Sequence, residues 1–178
     1  MTGDLTLSSR FIYRGHTIRL RIDDVALPSG RKAVREVIEH DGAVVIMAID
    51  EENNVLLVRQ FRHAAGQDLL ELPAGGIVPG ETPEMTARRE MQEETGYVPG
   101  DLERLGGFYS APGYASEYLH LFLATGLTPS RLIADDTDEI KLIKSSLNEA
   151  RELIRTGEIQ DAKTIAGLLF YLEFKNGG

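Results

Sequence analysis

No cysteine occurs in the 178-residue chain, which excludes disulfides, thiolate nucleophiles and cysteine-ligated zinc and suits a reducing compartment, by default the cytoplasm. No run of 18 apolar residues occurs. The opening MTGDLTLSSRFIYRG also lacks a basic segment followed by an apolar stretch, so neither export nor a membrane partner is expected. Positive charge is scarce too. The formal net charge is −9 and no Lys/Arg-rich run stands out, which makes nucleic acid an unexpected partner. The nucleotide loops GxGxxG and GxxxxGK[ST] are missing, as is HExxH, and His16, His40, His63 and His120 show no tight ligand spacing. Ser110 has Phe108 and Pro112 where a nucleophile elbow needs glycines. What is present is a 42% hydrophobic chain of single-domain length. On this acidic background a small anion needs a local arginine, a helix N-terminus or a metal ion to bind.

The spacing predicts strands first. FIYRG, TIRLRIDDVAL and KAVREVIEH read as a small antiparallel sheet, the last two joined by the turn Pro28-Ser29-Gly30. AVVIMAID (43–50) and VLLVRQFR (55–62) flank the polar Glu51-Glu52-Asn53-Asn54 at hairpin spacing, and LLELPAGG leads into a Gly/Pro-rich loop. Thr82 before Pro83, with Glu84 in the first turn, announces a helix from Pro83 to Thr95 stopped by Gly96. EYLHLFLATGL (117–127) and IKLIKS (140–145) read as further strands. Leu147 to Thr156 forms a helix ended by Gly157, and Asp161 caps a last helix, AKTIAGLLFYLEFK. The expected class is α+β with a mostly antiparallel or mixed sheet. No linker or internal repeat interrupts it.

The helix from Pro83 concentrates charge. At about 100° per residue, Glu90, Glu93 and Glu94 share one face, where like charges repel by a few tenths of a kcal/mol per pair. Arg89, four residues before Glu93, can hold one carboxylate. Two acids then remain for another purpose, and oxygen-rich groups of this kind suit Mg²⁺ or Mn²⁺. A merely solvated acidic face is the alternative that the helix alone leaves open.

The wider spacing resembles the signature of the Nudix hydrolases: Gly75, Glu81, then Arg89-Glu90-Met91, Glu93-Glu94, Gly96 and Tyr97. Seven fixed identities would coincide by chance on the order of once in 10⁸ placements. The resemblance implies a mixed β-sheet sandwiched by helices and metal-dependent attack of water on a nucleoside diphosphate linked to another group. By motif position it implies Glu90, Glu94 and the carbonyl of Ala74 as metal ligands. Glu93, held near Arg89, would orient a water at the metal or bridge metals, and Glu81 would be a salt-bridge partner or a ligand.

Beyond the motif, REVIEHDGAVVI, LLVRQFR, SAPGYASE and GEIQDAKTIAGLL resemble the ADP-ribose pyrophosphatase branch, as does Pro112 sixteen residues after Gly96. That branch implies a homodimer in which residues 1–40 form an N-terminal sheet element serving dimerisation and substrate, and residues 41–178 form the Nudix domain. It implies Arg35 and Glu39 near adenine or ribose, Arg62 near phosphate, Pro112, Gly113 and Glu117 near the terminal ribose, and Asp138 or Glu139 as a loop base. The implied reaction converts ADP-ribose to AMP and ribose 5-phosphate. GDP-mannose or another nucleoside diphosphate derivative is the alternative substrate, and a non-catalytic nucleotide-sensing module the alternative class.

Overall fold

The computed structural model describes residues 3–134 and 139–175. It divides into two compact units, one comprising the residues up to Gly42 together with Tyr109–Tyr118, the other Ala43–Phe108 with the chain from Leu119 onward.

The first unit is built on an antiparallel meander of β1 (Leu5–Arg14), β2 (Arg19–Ala26) and β3 (Lys32–Glu39). Leu27 accepts from the Gly30 amide at 2.8 Å, and Gly30 takes a φ of 81°, the left-handed conformation glycine adopts without steric cost. The loop before residue 118 is stitched to the end of β3. The Ile38 amide donates to the Tyr114 carbonyl at 2.8 Å, and the Ser116 amide to the Ile38 carbonyl at 2.9 Å.

In the second unit β4 (Ala43–Ala48) is buried on both faces, which explains its unbroken apolar run. Its alternation sorts two cores. Val45 and Met47 pack in a cluster with Leu57, Leu72, Leu121 and Leu168, against which Ile154 and Ile165 also lie. Val44, Ile46 and Ala48 pack in another with Ala87, Met91 and Phe122. Helix α1 (Pro83–Glu90) thus covers one face, while α2 (Leu147–Thr156) and α3 (Ala162–Phe174) cover the other. A four-stranded mixed sheet has the order β7 (Ala74–Gly76), β4, β9 (Tyr118–Pro129), β8 (Tyr97–Tyr109), with β4 and β9 parallel and β4 and β7 antiparallel. A second sheet sets β5 (Asn54–Arg62) between β10 (Lys141–Ser146) and β6 (Gln67–Glu71). The α+β class with helices on both sides of a mixed sheet is therefore as expected. Among the described residues no helix is long and apolar enough to cross a membrane.

Two local expectations change. The α-helix from Pro83 ends at Glu90 and continues as a π-helical turn, Met91–Thr95. Within that turn Thr95 Oγ1 donates to the Met91 carbonyl at 2.5 Å. Gly96 closes the turn at φ 77°. Residues 97–109, unassigned from the sequence, form the long strand β8.

Candidate active site

Thr82 caps α1 by accepting from the Met85 amide at 3.3 Å, with Pro83 in the first turn, so the helix starts where its residues demand. Its last turn and the π turn carry the acids. Arg89 binds more of them than the pairing with Glu93 alone. Its guanidinium donates to Glu81 at 2.9 and 3.1 Å, to Glu90 at 2.7 Å and to Glu93 at 2.9 Å, and also reaches the Gly76 carbonyl at 3.3 Å. The Glu81 bonds and the neighbouring Glu90 and Glu93 charges raise the Arg89 pKa against its partial burial. Glu81 is held below its ordinary range, chiefly by Arg89, and also accepts from Thr86 Oγ1 at 2.8 Å. In this structure, then, Glu81 is a salt-bridge partner of Arg89.

Glu94 stands outside that fork. Its Oε2 accepts from the Ala74 amide at 3.0 Å. Burial, and then the like charge of Glu90, push its pKa up to about 8, against the Ala74 amide and the cations Arg62 and Lys163. Glu90 comes to the same strand, for a Cβ on Gly75 would overlap the Glu90 carboxyl group. Glycine at 75 is thus needed for close approach. The two carboxylates converge on the consecutive residues Ala74 and Gly75 from two positions one helical turn apart.

Among the described residues no three acidic or histidine side chains form a closed metal cage. Two carboxylates beside a strand backbone nevertheless form a donor set suited to a hard divalent ion that keeps several waters, and such an ion would offset the burial and the Glu90 charge that raise the Glu94 pKa. The site fits the group.

The other expected positions divide between the two units. Arg62 forks onto Glu71 through two 2.7 Å bonds. Arg35 pairs with Asp4 at 2.8 Å. Glu39 is clamped between Arg19, at 3.3 Å, and Arg21. Pro112 and Gly113 occupy an exposed turn, and Glu117 lies 3.6 Å from His40 Nδ1. Arg35, Glu39, Pro112, Gly113 and Glu117 belong to the first unit, whereas Arg62, Ala74 and the residues 89–94 belong to the second. Glu139 sits on an exposed turn before β10, and Asp138 lies outside the described residues.

Sequence reasoning missed Glu71, Asp161, Lys163 and Thr164 as a group. Glu71, 1% exposed, accepts from Arg62 and Lys163, and Lys163 also pairs with Asp161 at 2.9 Å. Burial alone would raise the Glu71 pKa, but the two cations outweigh it and hold it below its ordinary range.

The NUDIX domain model matches residues 39–168, well over half of the chain. The chain belongs to the Nudix family. Among curated relatives, the ADP-ribose pyrophosphatase of Bacillus subtilis is 37% identical over 172 residues, covering 96% of this chain and 92% of that protein. The methanol dehydrogenase activator of Bacillus methanolicus is 38% identical over 167 residues, covering 93% and 90%. The GDP-mannose pyrophosphatase of Escherichia coli O1:K1 / APEC is 35% identical over 153 residues, covering 80% and 78%. A solved structure described as an ADP compounds hydrolase superposes with a TM-score of 0.87 at 24% identity, covering 98% of this chain and 95% of that one, and so shares the fold. Nudix hydrolases generally use divalent metal ions, in keeping with the donor set of Glu90 and Glu94.

Proposed function

We propose that this chain is a divalent-metal-dependent Nudix pyrophosphatase acting on nucleoside diphosphate sugars, with ADP-ribose as the substrate and AMP and ribose 5-phosphate as products. The carrying observation is the carboxylate surplus, in which Arg89 serves Glu81, Glu90 and Glu93 while Glu94 faces the Ala74 amide. The names of the pyrophosphatase relatives support the substrate class.

A diphosphate resists attack because its oxygens are already anionic. A bound divalent cation, Mg²⁺ or Mn²⁺ in this reading, supplies charge neutralisation and a water of lowered pKa. Glu90 and Glu94, with the carbonyl of Ala74, hold it. Arg89 keeps Glu90 and Glu93 in fixed orientation, and Glu93 accepts a proton from, or orients, the attacking water. Arg35, Glu39, Arg62, Pro112, Gly113 and Glu117 are proposed substrate contacts, with Asp138 or Glu139 as an auxiliary base. The individually exposed apolar side chains of β1, Leu5, Leu7, Ile12 and Tyr13, support a homodimer, since exposed apolar surface commonly marks an interface. A reducing, cytoplasmic setting fits the cysteine-free composition.

GDP-mannose is the alternative substrate, favoured by the similarity to a GDP-mannose pyrophosphatase. A second reading, action on a dehydrogenase partner, is favoured by the similarity to an activator protein. The motif acids are all retained, which favours hydrolysis. Incubating the protein with Mg²⁺ and, separately, ADP-ribose, GDP-mannose, dinucleotide cofactors and nucleoside triphosphates, with chromatographic quantification of products, distinguishes the substrate readings. AMP formed from ADP-ribose, abolished by chelator and restored by Mg²⁺, is the expected result. Single Asp138→Asn and Glu139→Gln replacements decide the loop base, and near-parent rates in both would remove both residues from that role.

A further inference from the structure

The segment leading into the strand that receives Glu94 is held by the first turn of α3 through two polar contacts. Lys163 pairs with the buried Glu71, three residues before Ala74. Thr164 Oγ1, itself fully buried, accepts from the Leu72 amide at 2.8 Å and donates to Asp161 at 2.6 Å. Asp161 also caps α3 by accepting from the Thr164 amide at 2.9 Å. Further along α3, a Cβ on Gly167 would stand 2.7 Å from Leu72 Cδ1, so the Leu72 side chain packs over the helix at that glycine. Leu72, 0% exposed, is fixed by its amide and its side chain at once.

Two residues further on, the Ala74 amide anchors Glu94. Strand β7 is only three residues long, and across it β4 supplies the ladder partners Val45 to Ala74 and Val44 to Gly75. The Ile46 amide of β4 also donates to the Pro73 carbonyl at 2.9 Å. The ladder to β4 and the approach segment Glu71–Pro73 together set where the Ala74 amide stands. A buried ion pair is weak as a source of stability but can fix one arrangement among several.

We propose that Lys163 and Thr164 are positioning residues for divalent-metal binding: through Glu71 and Leu72 they set the strand backbone on which the Glu94 carboxylate is hung. This rests on the metal reading of the preceding section. It assigns a function to the QDAKT segment, which is remote in sequence from the motif. Groups that orient a metal ligand from behind typically change metal affinity by about 10–100-fold when removed.

Mn²⁺ binding to the full chain without substrate, followed by the electron paramagnetic resonance of the free ion, tests the proposal apart from turnover. Lys163→Met and Thr164→Val are each expected to raise the Mn²⁺ Kd about tenfold, while Lys163→Arg and Thr164→Ser stay within about twofold of the parent. Ile154→Val, which trims the core that α2 and α3 share, controls for general loosening and should leave Kd unchanged. Folded Lys163→Met with a Kd within about twofold of the parent would overturn the proposal. Should Lys163→Met fail to fold, Thr164→Val decides by the same criterion. A parent that takes up no Mn²⁺ overturns the metal reading itself and the proposal with it, a result distinct from a parent and variants that bind equally well.

Discussion

Two groups of charged side chains in the second unit differ in how they are balanced. Around Arg89, a single guanidinium serves Glu81, Glu90 and Glu93, and Glu94 adds a further carboxylate whose pKa is pushed up to about 8, by burial first and by Glu90 second. Around Glu71, two cations, Arg62 and Lys163, meet two acids, Glu71 and Asp161, and Glu71 stays below its ordinary pKa despite its burial. Both groups adjoin the short run from Glu71 to Gly75, so similar surroundings cannot account for the contrast. A balanced set satisfies itself and holds the backbone. In the function proposed above, the set with surplus negative charge is completed from outside by a divalent cation.

The largest expected effect comes from removing charge on the unbalanced side. Glu93→Gln should lower ADP-ribose turnover by at least about 10²-fold with the fold intact by circular dichroism, the scale of losing a major electrostatic element. Activity within about threefold of the parent would contradict its assignment. On the balanced side the loss should appear in stability. Glu71→Gln leaves Arg62 and Lys163 without their shared acid, and urea unfolding near neutrality should show a loss of about 2 kcal/mol, below the usual range for a broken buried pair because Arg62 is partly solvated. The pH dependence follows from the depressed Glu71 pKa. Its stabilisation is fully present above the unfolded-state value and is lost as pH falls through the lower folded-state value, so Glu71→Gln should flatten the acid limb of the parent's stability profile.

A smaller effect should follow from steric intrusion. Gly75→Ala places a methyl group where the Glu90 carboxyl lies, and should weaken the apparent activating-metal affinity about tenfold while moving the unfolding midpoint little. An unchanged metal dependence would show that Glu90 need not approach the strand. Smallest of all is Arg155→Ala. Its pair with Glu152 is exposed, at 71% and 59%, and belongs to neither group. Thermal unfolding within about 1 °C of the parent and an unchanged rate are expected, since isolated surface pairs contribute little.

The balanced and unbalanced groups were unequally legible in the sequence. The acids around Arg89 lie within one short segment, so helical geometry alone brings Glu90, Glu93 and Glu94 to one side of α1 and its extension. The start of α1 was equally plain, because Thr82 and Pro83 act locally. Its π-helical end was not, since five residues cannot show whether a turn holds 3.6 residues or more. Strand β8 escaped notice because VPGDLERLGGF carries proline, glycines and charges without clean alternation, and its strand form depends on its neighbour β9. The lattice around Glu71 joins positions 92 residues apart, a juxtaposition that only the folded chain creates. Arg62, expected near phosphate from family resemblance, is found forked onto Glu71, a partner nine positions away that no local rule indicates.

The central claim is that the surplus of carboxylates at Ala74 and Gly75 holds a divalent cation against a diphosphate. Product analysis after incubating the pure protein with ADP-ribose, with and without Mg²⁺, tests it most directly. Stoichiometric AMP and ribose 5-phosphate, formed only when the metal is present, is the predicted result. Intact ADP-ribose in both samples, or cleavage at an equal rate without added metal and in excess chelator, would contradict it.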